Sequence, residues 1–166
     1  MSNLIMMVGN IGSGKSTLVK KLVKQGYLVV SRDALRLMVG GGEYRFDYDL
    51  EPEIYRIEKY ALELLTSFNY DIIIDETNMR RFIRKVYLDI AKCQGYTTIA
   101  IIMPRLSKAE SIKRRMQNNH GKTTISIWRE VWDKFNRVYE KPTLEEGFNR
   151  VIEYAEGANV NETLEN

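Results

Sequence analysis

Cysteine is almost missing from this chain. Cys93 is the only one in 166 residues. That excludes a disulfide within the chain and makes a reducing compartment, the cytoplasm, the expected setting. CxxC pairs and the paired-cysteine spacings of metal sites are absent with it. Histidine is equally scarce. His120 stands alone on a polar stretch, where a histidine is usually just solvated. No apolar run approaches the ~18 residues that a membrane span needs. Met1-Ser2-Asn3-Leu4 leads straight into an apolar run, which leaves no room for a signal peptide. No repeat or low-complexity segment occurs. An excess of one charge is lacking too: the formal net charge is only +3. That is compatible with nucleic acid but is no evidence for it.

What remains is an ordinary globular composition, 44% hydrophobic and 28% charged. The length fits one domain with a full core, expected over residues 1–157. A polar tail, 158–166, is expected to fray.

The chain is organised around Gly9-Asn10-Ile11-Gly12-Ser13-Gly14-Lys15-Ser16-Thr17. The apolar run Leu4–Val8 precedes it and a segment of helical periodicity, Leu18–Val23, follows. Strand, glycine-rich loop and helix in that order are what a phosphate-binding loop requires. The glycines let successive N–H groups turn inward toward phosphate oxygens. The helix adds its N-terminal partial positive charge. Lys15 can reach the β- and γ-phosphates, and the Ser16 hydroxyl can ligate Mg²⁺. The four fixed positions coincide by chance roughly once in 200 chains of this length.

Downstream, strands and helices alternate. Strands are predicted over about 3–8, 27–30, 71–75 and 96–103, with 148–154 either a fifth strand or a short helix. Helices are predicted over about 15–24, 32–39, 52–68, 81–92, 107–116 and 125–139. The polar and aromatic segment 43–51 reads as a mobile loop, and 117–122 as a polar break. The α/β alternation predicts an open, mainly parallel sheet of about five strands with helices on both faces. Ligands in such sheets bind beyond the carboxyl ends of the strands. The loops 9–16, 31–33, 75–78 and 104–106 should therefore meet at one edge.

Those loops carry reactive groups. Asp33 and Arg36 share one helix face after the second strand. A carboxylate there could take a proton from an attacking hydroxyl, and the arginine could hold an anionic acceptor. Equally, Asp33 could complement the helix dipole and Arg36 pair with it on a wet surface. Asp75 ends the third strand, where a carboxylate helps organise Mg²⁺ beside a phosphate loop. It could also be turn punctuation, with Glu76, Thr77 and Asn78 behind it. Lys113-Arg114-Arg115 could close over phosphates, Arg114 foremost, or could be a solvated helix face. Tyr44, Phe46 and Tyr48, with Arg45, could stack bases or could anchor their loop. Trp128 and Trp132 read as core.

With these residues in view, the chain resembles the P-loop kinases that phosphorylate the 5′-hydroxyl of DNA or RNA, most closely the kinase domain of phage polynucleotide kinases. The matching runs are Gly9–Thr17, Ser31–Arg36, Asp75–Asn78 and Lys113-Arg114, with Lys141–Phe148 similar to related small kinases. The resemblance implies a three-layer sandwich with a helical lid over about 113–126. It implies ATP and Mg²⁺ as cofactors, with ATP held by Gly9–Thr17 and Arg114, and Mg²⁺ by Ser16 and Asp75. It implies Lys15, Asp33 and Arg114 as catalytic residues, Asp33 being the base. It implies Arg36, Thr77 and Asn78 as contacts to the acceptor, a nucleic acid 5′ end. The setting implied is cytoplasmic, a host's cytoplasm for a phage protein. The chain departs where phage kinases carry a second lid arginine before a glycine: here His120 precedes Gly121, with Lys122 next. Glu76 stands where some relatives have aspartate. Bifunctional relatives add a 3′-phosphatase domain for which 166 residues leave no room, so no phosphatase activity is expected. Two other readings share the same loop: a kinase for a nucleoside, nucleotide or other small molecule, and a nucleotide-binding regulatory module without transfer.

Overall fold

The computed structural model describes residues 2–119, 123–159 and 164. His120, Gly121 and Lys122, and most of 158–166, lie outside the described residues. The strands are β1 (Asn3–Val8), β2 (Leu28–Val30), β3 (Ile72–Ile74), β4 (Thr97–Ile102) and β5 (Arg150–Glu153). The helices are α1 (Lys15–Val23), α2 (Arg32–Val39), α3 (Glu51–Ser67), α4 (Arg81–Cys93), α5 (Lys108–Gln117) and α6 (Ile125–Arg137). A 3₁₀ turn, Leu144–Glu146, precedes β5 and has no counterpart in the sequence reading. The segment left open between strand and helix is therefore a strand.

All five strands run parallel, in the order β2-β3-β1-β4-β5. Strands buried on both faces read as unbroken apolar runs, which is why Ile72-Ile73-Ile74 and Leu4–Val8 look alike in sequence. Side chains alternate across the sheet. Leu4, Met6, Val8, Ile72 and Ile74 pack on one face with Leu62 of α3 and Tyr87, Leu88 and Ala91 of α4. Ile5, Met7, Ile73, Ile99 and Ile101 pack on the other with Leu18, Val19 and Leu22 of α1. Three layers result. A separate cluster joins the phosphate loop to α5 and α6 through Ile11, Ile112 and Trp128, flanked by Trp132 and Phe135. Both tryptophans belong to this cluster.

The chain leaves β1 for α1 and returns to β2 at one edge, yet β4 lies on β1's other side. The order thus reverses at β1, and the crevice opens beyond its carboxyl end. There the glycine-rich loop begins, with Gly9 N–H donating to Thr77 O across the gap (3.0 Å).

One helix packs differently from the simple apolar reading. On α3 the inward positions are Ile54, Glu58, Leu62 and Thr66, four residues apart. Ile57, Tyr60, Leu64 and Phe68, also at helical spacing, are exposed. Buried Arg84 of α4 fixes another join. It forms a two-pronged ion pair with Glu146 (2.8 and 2.5 Å) and donates to the carbonyls of Asn78 and Glu140 (2.8 and 3.0 Å).

Candidate active site

The loop from Gly9 to Ser16 is curled around Lys15. The Lys15 ammonium donates to its own loop's carbonyls, Gly9 O at 2.8 Å and Asn10 O at 2.9 Å. Gly12 and Gly14 take left-handed φ values of 69° and 94°. A Cβ on Gly12 would lie 2.3 Å from Ser111 O of α5, so the loop is pressed against that helix. Asn10 ties it to α6 by donating to Trp132 O (3.1 Å). Among the described residues, the N–H groups of Gly12, Gly14, Lys15 and Ser16 have no protein acceptor. Unpaired donors around a glycine cradle at a helix N-terminus suit the oxygens of a phosphate chain. Ser16 lies exposed on the first turn of α1.

The charges around Lys15 form one field. Burial pushes its ammonium down to about 8; Asp75 and Glu76 push it back up, Arg115 pushes it further down, and Asp33 pushes it up. Asp75 mirrors this: burial raises its carboxyl to about 6, Lys15 opposes that, and Glu76 and Asp33 add to it. The sequence runs at 9–16, 31–33 and 75–76 are thus brought together, as the parallel sheet requires.

Asp33 stands one turn into α2. Its Oδ1 accepts from Arg36 Nη1 (2.5 Å) and from the Tyr44 hydroxyl (3.0 Å). Its side chain is 51% exposed, so the carboxylate is braced yet open to a ligand. Arg36 is buried, and its other two donors form a fork on Glu51 (2.8 and 2.6 Å). In this state Arg36 positions Asp33 rather than reaching outward. Arg32, between them and the sheet, donates from its backbone N–H and its guanidinium to Glu76 (both 2.7 Å). It also lies 3.5 Å from Glu58.

Other residues are placed as follows. Asn78 is buried with φ 48°, and its amide donates to Met7 O (2.9 Å), so it braces β1 against the turn after β3. Thr77 offers its carbonyl to the phosphate loop. Arg114 is held by Glu110 and Glu156 (both 2.7 Å). Arg115, one residue on, stacks over Trp128 at 4.2 Å, and its Nε is buried with no hydrogen-bond partner among the described residues. Its charge acts on Lys15. The segment read as a mobile loop is pinned by Tyr44 on Asp33 and by Glu51 on Arg36. Glu51, Glu58 and Arg84 were missed in sequence. Only Glu58 left a signal there, a charge set at inward spacing between Ile54 and Leu62.

No group of three or more His, Cys, Asp or Glu side chains among the described residues forms a metal cage. A magnesium ion that keeps its waters and leans on phosphate oxygens plus one or two protein groups fits that finding.

A glycine-rich loop after β1, at the reversal point of a five-stranded parallel sheet, matches the P-loop kinase fold. The chain belongs to a family described as an AAA domain, whose model matches residues 4–142. No curated protein sequence matches it. Among solved structures, a Chloroflexus aurantiacus protein assigned to the kinases superposes with a TM-score of 0.71 at 16% identity, over 99% of this chain and 92% of that one. A chain of the Pnkp1/Rnl/Hen1 RNA repair complex superposes with 0.65 at 21% identity, over 82% of this chain and 45% of that one. The Mycobacterium tuberculosis APS kinase CysC, in complex with AMPPNP and APS, gives 0.62 at 15% identity, over 99% and 94%. No helix among the described residues is long and apolar enough to cross a membrane.

Proposed function

We propose that the protein transfers the γ-phosphoryl group of ATP to the 5′-hydroxyl end of DNA or RNA. The observation that supports this most is Asp33: a half-exposed carboxylate, braced by Arg36 and Tyr44, within the electrostatic reach of Lys15 and Asp75. In this reading Asp33 takes the proton of the acceptor hydroxyl. The hydroxyl oxygen bonds to the γ-phosphorus while the bond from phosphorus to the β–γ bridging oxygen breaks, leaving ADP. Lys15 and the loop N–H groups hold the phosphates. Ser16 and Asp75 would hold Mg²⁺, which would supply charge neutralisation. Arg115, whose charge already acts on Lys15, joins Arg114 as a candidate for the lid arginine. The fork that Glu51 now fills on Arg36 has the geometry a phosphate uses, so Arg36 can serve an acceptor phosphate that displaces Glu51. Thr77 lines the same edge.

The second reading, a kinase for a small-molecule acceptor, shares everything but the acceptor, and the likeness to APS kinase is in keeping with it. One assay separates them. Labelled ATP and Mg²⁺ are offered with 5′-hydroxyl DNA and RNA oligonucleotides and, separately, with nucleosides and small alcohols. Label on the oligonucleotides alone supports the proposal; label only on small acceptors, or none, rejects it. Asp33→Ala is expected to lower transfer by roughly 10²–10⁴-fold while leaving ATP affinity largely unchanged.

A further inference from the structure

Tyr44, Phe46 and Tyr48 read alike in sequence but are not alike in the structure. Three glycines end α2 and turn the chain back, with Gly42 N–H donating to Leu37 O (2.8 Å) and Gly40 N–H to Arg36 O (3.1 Å). Tyr44 is half-buried with its hydroxyl on Asp33, so it is the anchor. Phe46 and Tyr48 face solvent, 50% and 83% exposed. Their rings meet edge to face, 5.0 Å between centroids. Phe46 is held from below by the Arg36 guanidinium, 5.4 Å from its centroid. That same guanidinium bonds Asp33. Phe46 is thus one side chain away from the proposed base, and Tyr48 one further.

The loop is shaped, not slack. Asp47 accepts at its side chain from Asp49 N–H (3.1 Å) and at its carbonyl from Leu50 and Glu51 N–H (3.0 and 3.1 Å). Two exposed aromatic rings in contact, beside the Arg36 that bonds Asp33, offer faces on which a flat ligand can stack. The charges nearby narrow the ligand. Asp47, Asp49 and Glu43 are acidic, and Asp47 is already paired with Arg45 (3.4 Å). Carboxylates repel a phosphodiester but not the flat face of a base, and base–aromatic stacking tolerates any base.

We infer that Phe46 and Tyr48 form a stacking platform for a nucleobase of the acceptor strand, next to the hydroxyl that Asp33 activates. The inference rests on the proposed polynucleotide acceptor and names the subsite that would tell such an acceptor from a small alcohol. The terminal base lies on the Phe46 face, and the 3′-phosphodiester of that first nucleoside turns toward Arg36 and away from the loop carboxylates.

The test compares a 5′-hydroxyl oligonucleotide with one whose first two positions are abasic, in wild-type protein and in Phe46→Ala/Tyr48→Ala. Wild type is expected to prefer the base-bearing strand in kcat/KM by roughly five- to a hundredfold. The double substitution is expected to collapse that preference toward one, through KM, and Phe46→Trp to keep it. A 2-aminopurine at the 5′ terminus is expected to be quenched on binding to wild type and not to the double variant. An equal preference in both proteins, or no preference in wild type, overturns the platform while leaving the kinase reading intact. No phosphorylation of any 5′-hydroxyl strand by wild type rejects the kinase reading, and the platform falls with it.

Discussion

Glu58 is fully buried, with its Oε2 bonded to the Tyr87 hydroxyl (2.9 Å) and its Oε1 without a partner among the described residues. Burial, aided by nearby Glu76 and opposed by Arg32, lifts its carboxyl from 4.5 to about 7. The folded state therefore holds that proton more tightly than the unfolded chain does. Its contribution to stability is fully present below about pH 4.5 and is lost as pH rises through about 7. Glu58→Gln removes the titration and keeps the shape. The variant is expected to gain on wild type by on the order of 2–3 kcal/mol between pH 5 and pH 8. Urea unfolding at the two pH values measures this, and equal pH slopes for the two proteins would exclude it. The effect reaches the site because Arg32, shared by Glu58 and Glu76, sits at the start of the helix that carries Asp33.

At the scale of elements, α5 shows how one residue of offset redirects a side chain by about 100°. Arg114 points toward Glu110 and Glu156; Arg115 stacks on Trp128 and acts on Lys15. Arg115→Met is expected to lower kcat by roughly 10- to 1000-fold with a small change in ATP affinity. Arg114→Met, which loses two partly exposed ion pairs, is expected to change kcat far less. Steady-state kinetics of the two variants decides between them, and the reverse ranking would return the role to Arg114. In sequence the run Lys113-Arg114-Arg115 locates the cationic segment but not its direction, because direction depends on how α5 docks on α6. α3 teaches the same lesson. Its helical period was plain, and Pro52 marked its start. Which stripe faces inward was not: the sheet took Ile54, Glu58, Leu62 and Thr66 and left Ile57, Tyr60, Leu64 and Phe68 outside. The bounds of α2, α3, α4 and α5 all fall within a residue of those predicted, because helix ends are set by local signals.

For the whole molecule, the phosphate loop is joined to both halves of the crevice. It is tied to the turn after β3 through Thr77 and to α5 and α6 through Gly12, Asn10 and Ile11. A ligand seated there stabilises the native state alone. On the proposed function, ATP with Mg²⁺ at a hundred times its Kd is expected to add about 2.7 kcal/mol. That corresponds to a rise in Tm of roughly 5–10 °C for a chain of this size. Lys15→Met is expected to abolish the rise, and thermal melts with and without nucleotide measure it. Gly12→Ala is expected to lose both the rise and some basal stability, since its Cβ would strike Ser111 O at a left-handed φ.

The linear chain by itself determined the phosphate cradle, the strand–helix alternation and the parallel sheet that follows from it. Those are written in short-range patterns: glycine spacing, apolar runs and caps. The tertiary structure alone decided that Glu51 holds Arg36, that Glu58 lies inside, that Arg84 locks Glu146, that Arg115 stacks on Trp128, and that Phe46 and Tyr48 stay exposed while Tyr44 is anchored on Asp33. Those outcomes join segments far apart along the chain, and only the docking of helices onto a common sheet fixes which of several equivalent side chains ends up against which partner.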